Sequence, residues 1–520
     1  MNLAEIIEGH PEEAPALLGS ETYTYGRLRR EVAAARGGLT ALGVAPGDRV
    51  ALGLANDWPF VVTYLAVLGV GAVAVPVDPS LPSTALHSEL VMVRPAAVVV
   101  GPPGGAHVGG ALAELRDDAG RPPRRVAAPG AEDCPDATPL ADLLGAAPVP
   151  LAERRPDDPA VLVFTAGTAG SPKAAILTHG SITANMDQVQ HHPGRALVPG
   201  DLSYGVLPLF HVFGLNVVLG LSLRAGAGVL LADRFDPVRA LADIPRHRVT
   251  VLAGAPPLFA ALAKAEPAAG GTGSELASIR LAVSGASALP AEVAEAFESR
   301  FGLPLWQGYG LTEASPVVTS SVIGGVPKPG SIGVPVPGVE LRLVDEAGQD
   351  ALVGDAGELW ARGPNIFPGY WEDPDATAAA LTDDGWLRTG DVAVVDDDGY
   401  VYLVDRVKDL IIVSGFNVYP AEVEQVLAEH PGVAEAAAVG LPDERTGEAI
   451  HAFVVARDAG GPHPGAPDPG LSAELDKWCR ARLAAYKCPA EIRVVEGLPH
   501  GMAGKLLRRA LREGTVEVPG

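Results

Sequence analysis

FTAGTAGSPKAAILTH, residues 164–179, follows the apolar run AVLVF (Ala160 to Phe164), and this strand-then-loop reading decides the fold. An apolar run entering a loop of Thr, Ser and Gly suits a buried strand that delivers backbone N–H groups to an anion. Hydroxyls at Thr165, Thr168 and Ser171 add donors, and Lys173 adds a positive charge. The loop is not a Walker A sequence, because Gly167 and Gly170 stand three apart and Pro172, not Gly, precedes the lysine. Taken alone, the same composition also suits a plain surface turn.

Outward from the loop, apolar runs such as RVALGLA, AVAVPV, AAVVVG, GVLLA and VTVLAGA alternate with helical patterns at Leu28 to Leu42 and Pro290 to Phe301. That alternation predicts α/β layers with largely buried parallel strands. The longest apolar stretch, Phe60 to Val77, is interrupted by Gly69, Gly71 and Pro76 and predicts a buried helix followed by a strand, not a membrane span. Gly214 to Ala232 is read the same way, broken by Arg224. Most of residues 101–157, rich in Gly, Pro, Ala and acids, are expected to be loops and variable helices. DDDGYVYLVDR predicts a β-hairpin with an Asp-Gly turn. Beyond it a helix opens at Pro420, and another starts at Ser472 and is expected to stop at Pro489.

With 520 residues, 48% of them apolar and 20% charged, the chain is long enough for two or more domains. The formal charge of -24 argues against general affinity for nucleic acid or anionic membranes, both of which need a basic face. Cys134, Cys479 and Cys488 show neither a paired framework nor metal-ligand spacing, as buried or incidental thiols in a reducing cytoplasm would. The start, MNLAEIIEGHPEE, lacks a basic region and apolar core, so no export signal is expected.

Three further segments follow in order: WQGYGLTEASP (Trp306 to Pro316), WLRTGDVAVVDDDGYVYLVDRVKDLIIVSGFNVYPAEVE (Trp386 to Glu424) and GLPHGMAGKLLRRAL (Gly497 to Leu511). Together with the first loop they resemble the adenylate-forming acyl-CoA synthetase superfamily, which includes fatty acyl-CoA ligases and 4-coumarate-CoA ligases, over nearly the whole chain. The resemblance implies a large N-terminal adenylation domain of packed sheets and helices (residues 1–405), a hinge at 406–408 pivoting on Lys408, and a small mobile α+β domain (409–520). It implies ATP, Mg²⁺ and CoA as reactants and cofactor, a small carboxylic acid as substrate, and a monomer or homodimer.

Carried over residue by residue, the resemblance gives Glu313 the Mg²⁺ and Thr312 the α-phosphate. Tyr309 would stack on adenine beside Gly308, with Gly285 and Ala286 lining the other side, and Asp391 and Arg406 would hold the ribose. Lys505 would neutralise charge during adenylation, and Ser414, Gly415 and Phe416 would meet the pantetheine arm of CoA. His211 in PLFHVFG and Gly310 fall at the acyl pocket, although a lone His among apolar residues also reads as a core histidine. Arg508, Arg509, Arg512 and Lys487 read either as a site for the CoA phosphates or as a solvated face.

Two features separate this chain from its look-alikes. Ala166, Ala169 and Ala174 stand where the resembling loops carry Ser, Thr and Gly, which removes two hydroxyls worth about 1–3 kcal/mol each to a charged acceptor. Gln307 is not a cation and the His211 segment is apolar, so a monocarboxylic acid is expected, a medium- or long-chain fatty acid first and an aryl acid second. Two rival readings stay open: an acyl-AMP ligase that loads an acyl carrier protein, and a non-catalytic nucleotide- or acyl-binding homologue.

Overall fold

The computed structural model describes the chain apart from residues 103–110, 113–114, 132, 135, 166–171, 192–194, 267–273, 346, 353, 407–408, 410, 414–415, 419, 444–445, 458–469, 484, 501–505 and 514–520. The fold is α/β and divides into two compact units, one of Met1–Leu341 with Ala361–Arg388, the other of Arg342–Trp360 with Thr389–Gly520.

The first unit is built on two sheets. One has seven strands, in the order Thr138–Pro139, Arg124–Ala127, Ala97–Val100, Arg49–Gly53, Val73–Pro76, Pro159–Thr165, Lys173–Thr178. Its pairs are parallel except the last, an antiparallel hairpin that brings Thr165 opposite Lys173 on either side of the Thr/Gly loop. The other has nine strands. Its middle is parallel, and Leu305–Gly310 lies next to Leu281–Ser284 on one side and antiparallel to Val317–Ser320 on the other.

Buried parallel strands need both faces covered. The helix Trp58–Val70 does part of that work: every residue from Phe60 to Val70 is buried. Asp57 caps its first turn, Gly71 ends it in the left-handed conformation, and the strand Val73–Pro76 follows at once. The expected helix-then-strand at Phe60 to Val77 is what the chain forms. Gly214 to Ala232 likewise holds a π-helix Phe213–Gly220, a short helix Leu221–Arg224 and the strand Gly228–Leu231, with Arg224 paired to Asp187 at 2.6 Å. Among the described residues no helix is long and apolar enough to cross a membrane.

One expectation is refined and one is corrected. Residues 101–157 contribute two strands of the seven-stranded sheet, Arg124–Ala127 and Thr138–Pro139, which are too short and too polar to show a periodic signal. The helix Leu471–Arg480 ends nine residues before Pro489, and a 3₁₀ turn, Ala485–Lys487, intervenes.

Four strands, Glu340–Val344, Gly357–Arg362, Leu387–Val395 and Val401–Arg406, form a sheet in that order, most of it in the second unit. The last two make the expected hairpin and set Asp391 opposite Arg406. A five-stranded sheet with the helices Pro420–Ala428 and Leu471–Arg480 completes that unit around Ile411, Val423, Leu427, Ile450, Leu475 and Cys479. Cys134 and Cys479 are buried, and burial pushes the Cys479 thiol up to about 11, as expected of an inert core thiol.

Candidate functional site

The Thr165–Lys173 pairing closes the seven-stranded sheet beside the loop, whose own residues Thr168 and Ser171 lie outside the described residues. Lys173 faces no acid among the described residues. Instead its Nζ stands 5.2 Å from the centroid of the Tyr370 ring, a cation over an aromatic face. Tyr370 reaches this position because residues 369–371 bridge to the strand Lys173–Thr178. The Ile176 N–H donates to Gly369 O at 3.0 Å, the Trp371 N–H donates to Ala174 O at 2.8 Å, and Tyr370 pairs with Ala175. The methyl of Ala174 packs into an apolar cluster with Leu162, Phe164 and Trp371, so this one of the three alanines serves packing.

From the other side of its ring system, the Tyr370 hydroxyl donates to Glu313 Oε1 at 2.6 Å. Burial and the neighbouring Glu313 carboxylate push the Tyr370 phenol far above its usual range, so it stays a donor throughout the working pH range. Glu313 Oε2 has no partner among the described residues, and neither does the hydroxyl of Thr312. A cation, a phenol and a half-free carboxylate thus line up as Lys173, Tyr370, Glu313.

The turn carrying Glu313 is held by its backbone. Each carbonyl from Glu313 to Val317 receives a donor from elsewhere in the first unit: Glu313 O from Phe367 N at 2.8 Å, Ala314 O from Asn365 Nδ2 at 2.9 Å, Ser315 O from Asn216 Nδ2 at 3.2 Å, Pro316 O from Leu311 N at 3.1 Å and Val317 O from Asn185 Nδ2 at 2.8 Å. Asn185, Asn216 and Asn365 are all buried, and Ser315, in the left-handed conformation at φ 69°, is anchored by Ser181 through its hydroxyl at 3.0 Å. Buried amides in this number are costly unless paired, and here the pairing fixes a loop.

Glycines shape the space next to it. A Cβ on Gly310 would stand 2.1 Å from Pro316 O, so only glycine permits the strand to pass the turn there. Gly308 differs: a Cβ would find only Thr319 O, at 3.6 Å, and otherwise open space. Gly285 sits against the Phe213 ring, at 3.2 Å from a built Cβ, and Gly308 O, at 3.4 Å. Ala286 holds φ 70°, a left-handed backbone that costs a non-glycine residue about 1 kcal/mol and is found at functional turns. His211 is half-buried, and its Nδ1 accepts from the Phe213 N–H at 3.3 Å at the start of the π-helix. Tyr309, between Gly308 and Gly310, is half-buried in the same strand.

The structure therefore brings together Thr165, Lys173, Thr312 and Glu313, and separately Gly285, Gly308 and Phe213. Asp391 is buried in the second unit, its N–H donating to Thr389 Oγ1 at 3.1 Å, and its strand pairs with the backbone of Arg406. The side chains of Arg406 and Phe416, and all of Lys408, Ser414, Gly415 and Lys505, lie outside the described residues. Of the basic cluster, Lys487 is clamped by both Glu422 oxygens at 2.7 Å, Arg508 meets Glu424 and Asp409, and Arg512 meets Asp409 at 3.1 Å. These cations are already neutralised, which favours the solvated-face reading over a phosphate site.

Sequence reasoning missed Tyr370, Asn365, Asn216 and Asn185. The segment GPNIFPGYW (Gly363 to Trp371) carried turn signals and an aromatic pair that mark a structured loop, and it was the one place to look.

A family model described as AMP-binding enzyme matches residues 3–371, and one described as AMP-binding enzyme C-terminal domain matches residues 422–505. A long-chain-fatty-acid–CoA ligase of Yersinia pestis is 42% identical over 363 residues, which are 69% of this chain and only 62% of that protein. A feruloyl-CoA synthase of an Amycolatopsis species is 39% identical over 500 residues, 95% of this chain and 94% of that protein. The ATP-bound crystal structure of MatB from Rhodopseudomonas palustris superposes with a TM-score of 0.88 at 30% identity, covering 99% of this chain and 98% of the other.

Proposed function

Because this chain belongs to the AMP-binding enzyme family, within the adenylate-forming superfamily, we propose that it is an ATP-dependent acid–CoA ligase. A carboxylate does not acylate a thiol at neutral pH, since its leaving group would be an oxide. Adenylation replaces that leaving group. A carboxylate oxygen attacks the α-phosphorus of ATP and pyrophosphate departs; the CoA thiolate then attacks the acyl carbon and AMP departs. Both steps are governed by positioning and charge neutralisation.

The observation that carries this reading is the alignment of Lys173, Tyr370 and Glu313. Lys173, with no acid partner among the described residues, supplies positive charge at the root of the phosphate loop, joined by Thr165, Thr168 and Ser171. Thr312 offers its free hydroxyl to the α-phosphate. Tyr309, Gly308, Gly285 and Ala286 take the adenine, and Asp391 and Arg406 the ribose. Lys505 neutralises the reacting carboxylate, Lys408 is the hinge between residues 1–405 and 409–520, and Ser414 to Phe416 pass the pantetheine arm.

The residues present fit Mg²⁺. Glu313 keeps one carboxylate oxygen free of partners among the described residues, while no group of three or more His, Cys, Asp or Glu side chains is assembled there to cage a metal. A single protein carboxylate is what Mg²⁺ uses when phosphates and water fill its other positions. When bound, the ion would neutralise phosphate charge, and Tyr370 would orient the carboxylate that holds it.

The acid is monocarboxylic and enters beside His211 and Gly310. The apolar segment around His211 suits a fatty acyl chain, whereas the near full-length match to a feruloyl-CoA synthase suits an aryl acid. The test is release of AMP and pyrophosphate from ATP and Mg²⁺ over a panel of fatty and aryl acids, with and without CoA. Thioester formation with a clear preference is expected. Lys505→Ala should cripple acyl-AMP formation and spare transfer from supplied acyl-AMP. No turnover with any acid, with CoA or with a carrier protein, would overturn the reading in favour of a non-catalytic binder.

A further inference from the structure

Asp391 follows Gly390, which holds φ 72°, a left-handed backbone within the strand Leu387–Val395. A Cβ added there would meet nothing within 4 Å, so the glycine answers to conformation and not to space. The register with the strand Val401–Arg406 starts at Asp391, opposite Arg406. A left-handed residue interrupts a ladder, and the N–H groups on either side of it need partners of their own.

Both partners are side chains. The Gly390 N–H donates to Glu358 Oε1 at 3.1 Å, across to the neighbouring strand Gly357–Arg362. The Asp391 N–H donates to Thr389 Oγ1 at 3.1 Å, and that hydroxyl donates in turn to Leu359 O at 2.6 Å. These N–H groups belong to the two peptide planes that flank the Gly390 Cα. Holding both planes fixes φ and ψ at Gly390, and with them the direction in which the Asp391 side chain leaves the backbone. Glu358 is itself held. The Trp360 Nε1–H donates to its Oε2 at 2.9 Å, and the Arg342 guanidinium lies 5.6 Å from the centroid of the Trp360 ring. Each oxygen of the Glu358 carboxylate thus accepts from an N–H, one on its own strand and one on the strand of Asp391.

We propose that Glu358, together with Thr389, positions Asp391 for the ribose hydroxyls of ATP and so sets the preference for a ribonucleotide. Each is a positioning residue, acting through the backbone around Gly390 and not on the nucleotide. Asp391 is 5% exposed, so a carboxylate turned away from the hydroxyls is confined by its surroundings and does not swing back to them. The inference rests on the ribose role of Asp391 within the ligase reading above.

The experiment measures pyrophosphate exchange with ATP and with 2′,3′-dideoxy-ATP, using the acid of the panel that gives the fastest exchange. Glu358→Gln keeps the shape of the side chain but turns one acceptor into a donor, so only one of the two N–H groups keeps its partner. Thr389→Val deletes the hydroxyl, and Thr389→Ser keeps it. The wild type is expected to prefer ATP by about a hundredfold or more in kcat/KM. Glu358→Gln and Thr389→Val should each lower kcat/KM for ATP by about tenfold to a hundredfold, while the value for the dideoxy nucleotide stays within about threefold of wild type. Thr389→Ser should restore the ATP value. Equal losses with both nucleotides would mark structural support alone and overturn the proposal, as would variants with the wild-type preference or a Thr389→Ser that does not recover. If Glu358→Gln does not fold, the Thr389 pair carries the test. A wild type without preference for ATP would instead remove the ribose role of Asp391, and this proposal with it, and leave the ligase reading standing. Silence with every acid would remove the ligase reading as well.

Discussion

Replacing Tyr370 with Phe removes one oxygen from the middle of the Lys173, Tyr370, Glu313 alignment and nothing else. The ring stays, and with it the edge contact to Phe367 at 4.9 Å and the face offered to Lys173 at 5.2 Å. What goes is a donor 2.6 Å from Glu313 Oε1. A hydrogen bond to a charged group contributes about 1.5–3 kcal/mol, and water reaching the half-buried Glu313 offsets part of that. A net loss of about 1.5–2 kcal/mol corresponds to roughly 10- to 30-fold in rate. The loss belongs to the adenylation half-reaction, in which Glu313 acts. Pyrophosphate exchange should therefore fall by that factor, while thioester formation from supplied acyl-AMP and the unfolding midpoint stay near wild type. Exchange at the wild-type rate, or equal loss in both half-reactions, would refute the assignment of Tyr370 as the residue that orients Glu313.

Three further outcomes are expected. Asn365→Ala strands the Ala314 carbonyl and the Gln188 amide in a fully buried site, so it should cost about 2–4 kcal/mol in urea unfolding and slow exchange as well. Gly310→Ala should lower the unfolding midpoint because its Cβ collides with Pro316 O, whereas Gly308→Ala should leave the midpoint alone and raise KM for ATP; the reverse order would contradict the placement of the adenine site. His179 supplies a pH test. Its Nδ1 accepts from the Leu3 N–H at 3.0 Å, and burial followed by the Arg154 charge lowers it to about 4. The folded state then binds fewer protons than the unfolded chain between pH 4 and 6.5, so this contribution is complete above 6.5 and is lost as pH falls. Between pH 7 and pH 5 it amounts to about 2 kcal/mol. Glu89, pushed up to about 7 chiefly by burial, has the opposite sign, losing stability as pH rises from 4.5, so the His179 share is read as wild type minus His179→Gln. A pH-independent difference would rule it out.

The parts of this molecule that were readable from the chain are those in which residue type and local geometry coincide. A helix apolar on all sides from Phe60 to Val70 has no stable place except between layers, and Gly71 can only end it. The runs at residues 160–164 and 249–254 had to be buried strands for the same reason. The Thr/Gly loop and the Gly-rich strand at 308–310 advertise a close approach of backbone to something. Thr165 and Lys173 stood out in the sequence as the two sides of the Thr/Gly loop, whereas Thr312 and Glu313 took their roles only from the resemblance of the whole motif. The strand Arg124–Ala127 escaped because its two arginines hide a four-residue element that pairing alone creates.

The residues that position Glu313 escaped for a different reason. Asn185 and Asn216 are single amides on helices of ordinary pattern, and Asn365 sits in a loop; in a sequence each is indistinguishable from a solvated polar residue. Their partners are backbone carbonyls at 317, 315 and 314, and a carbonyl has no residue type. The information lies in where three distant segments converge, and only burial reveals it, because a buried amide must be paired while an exposed one need not be.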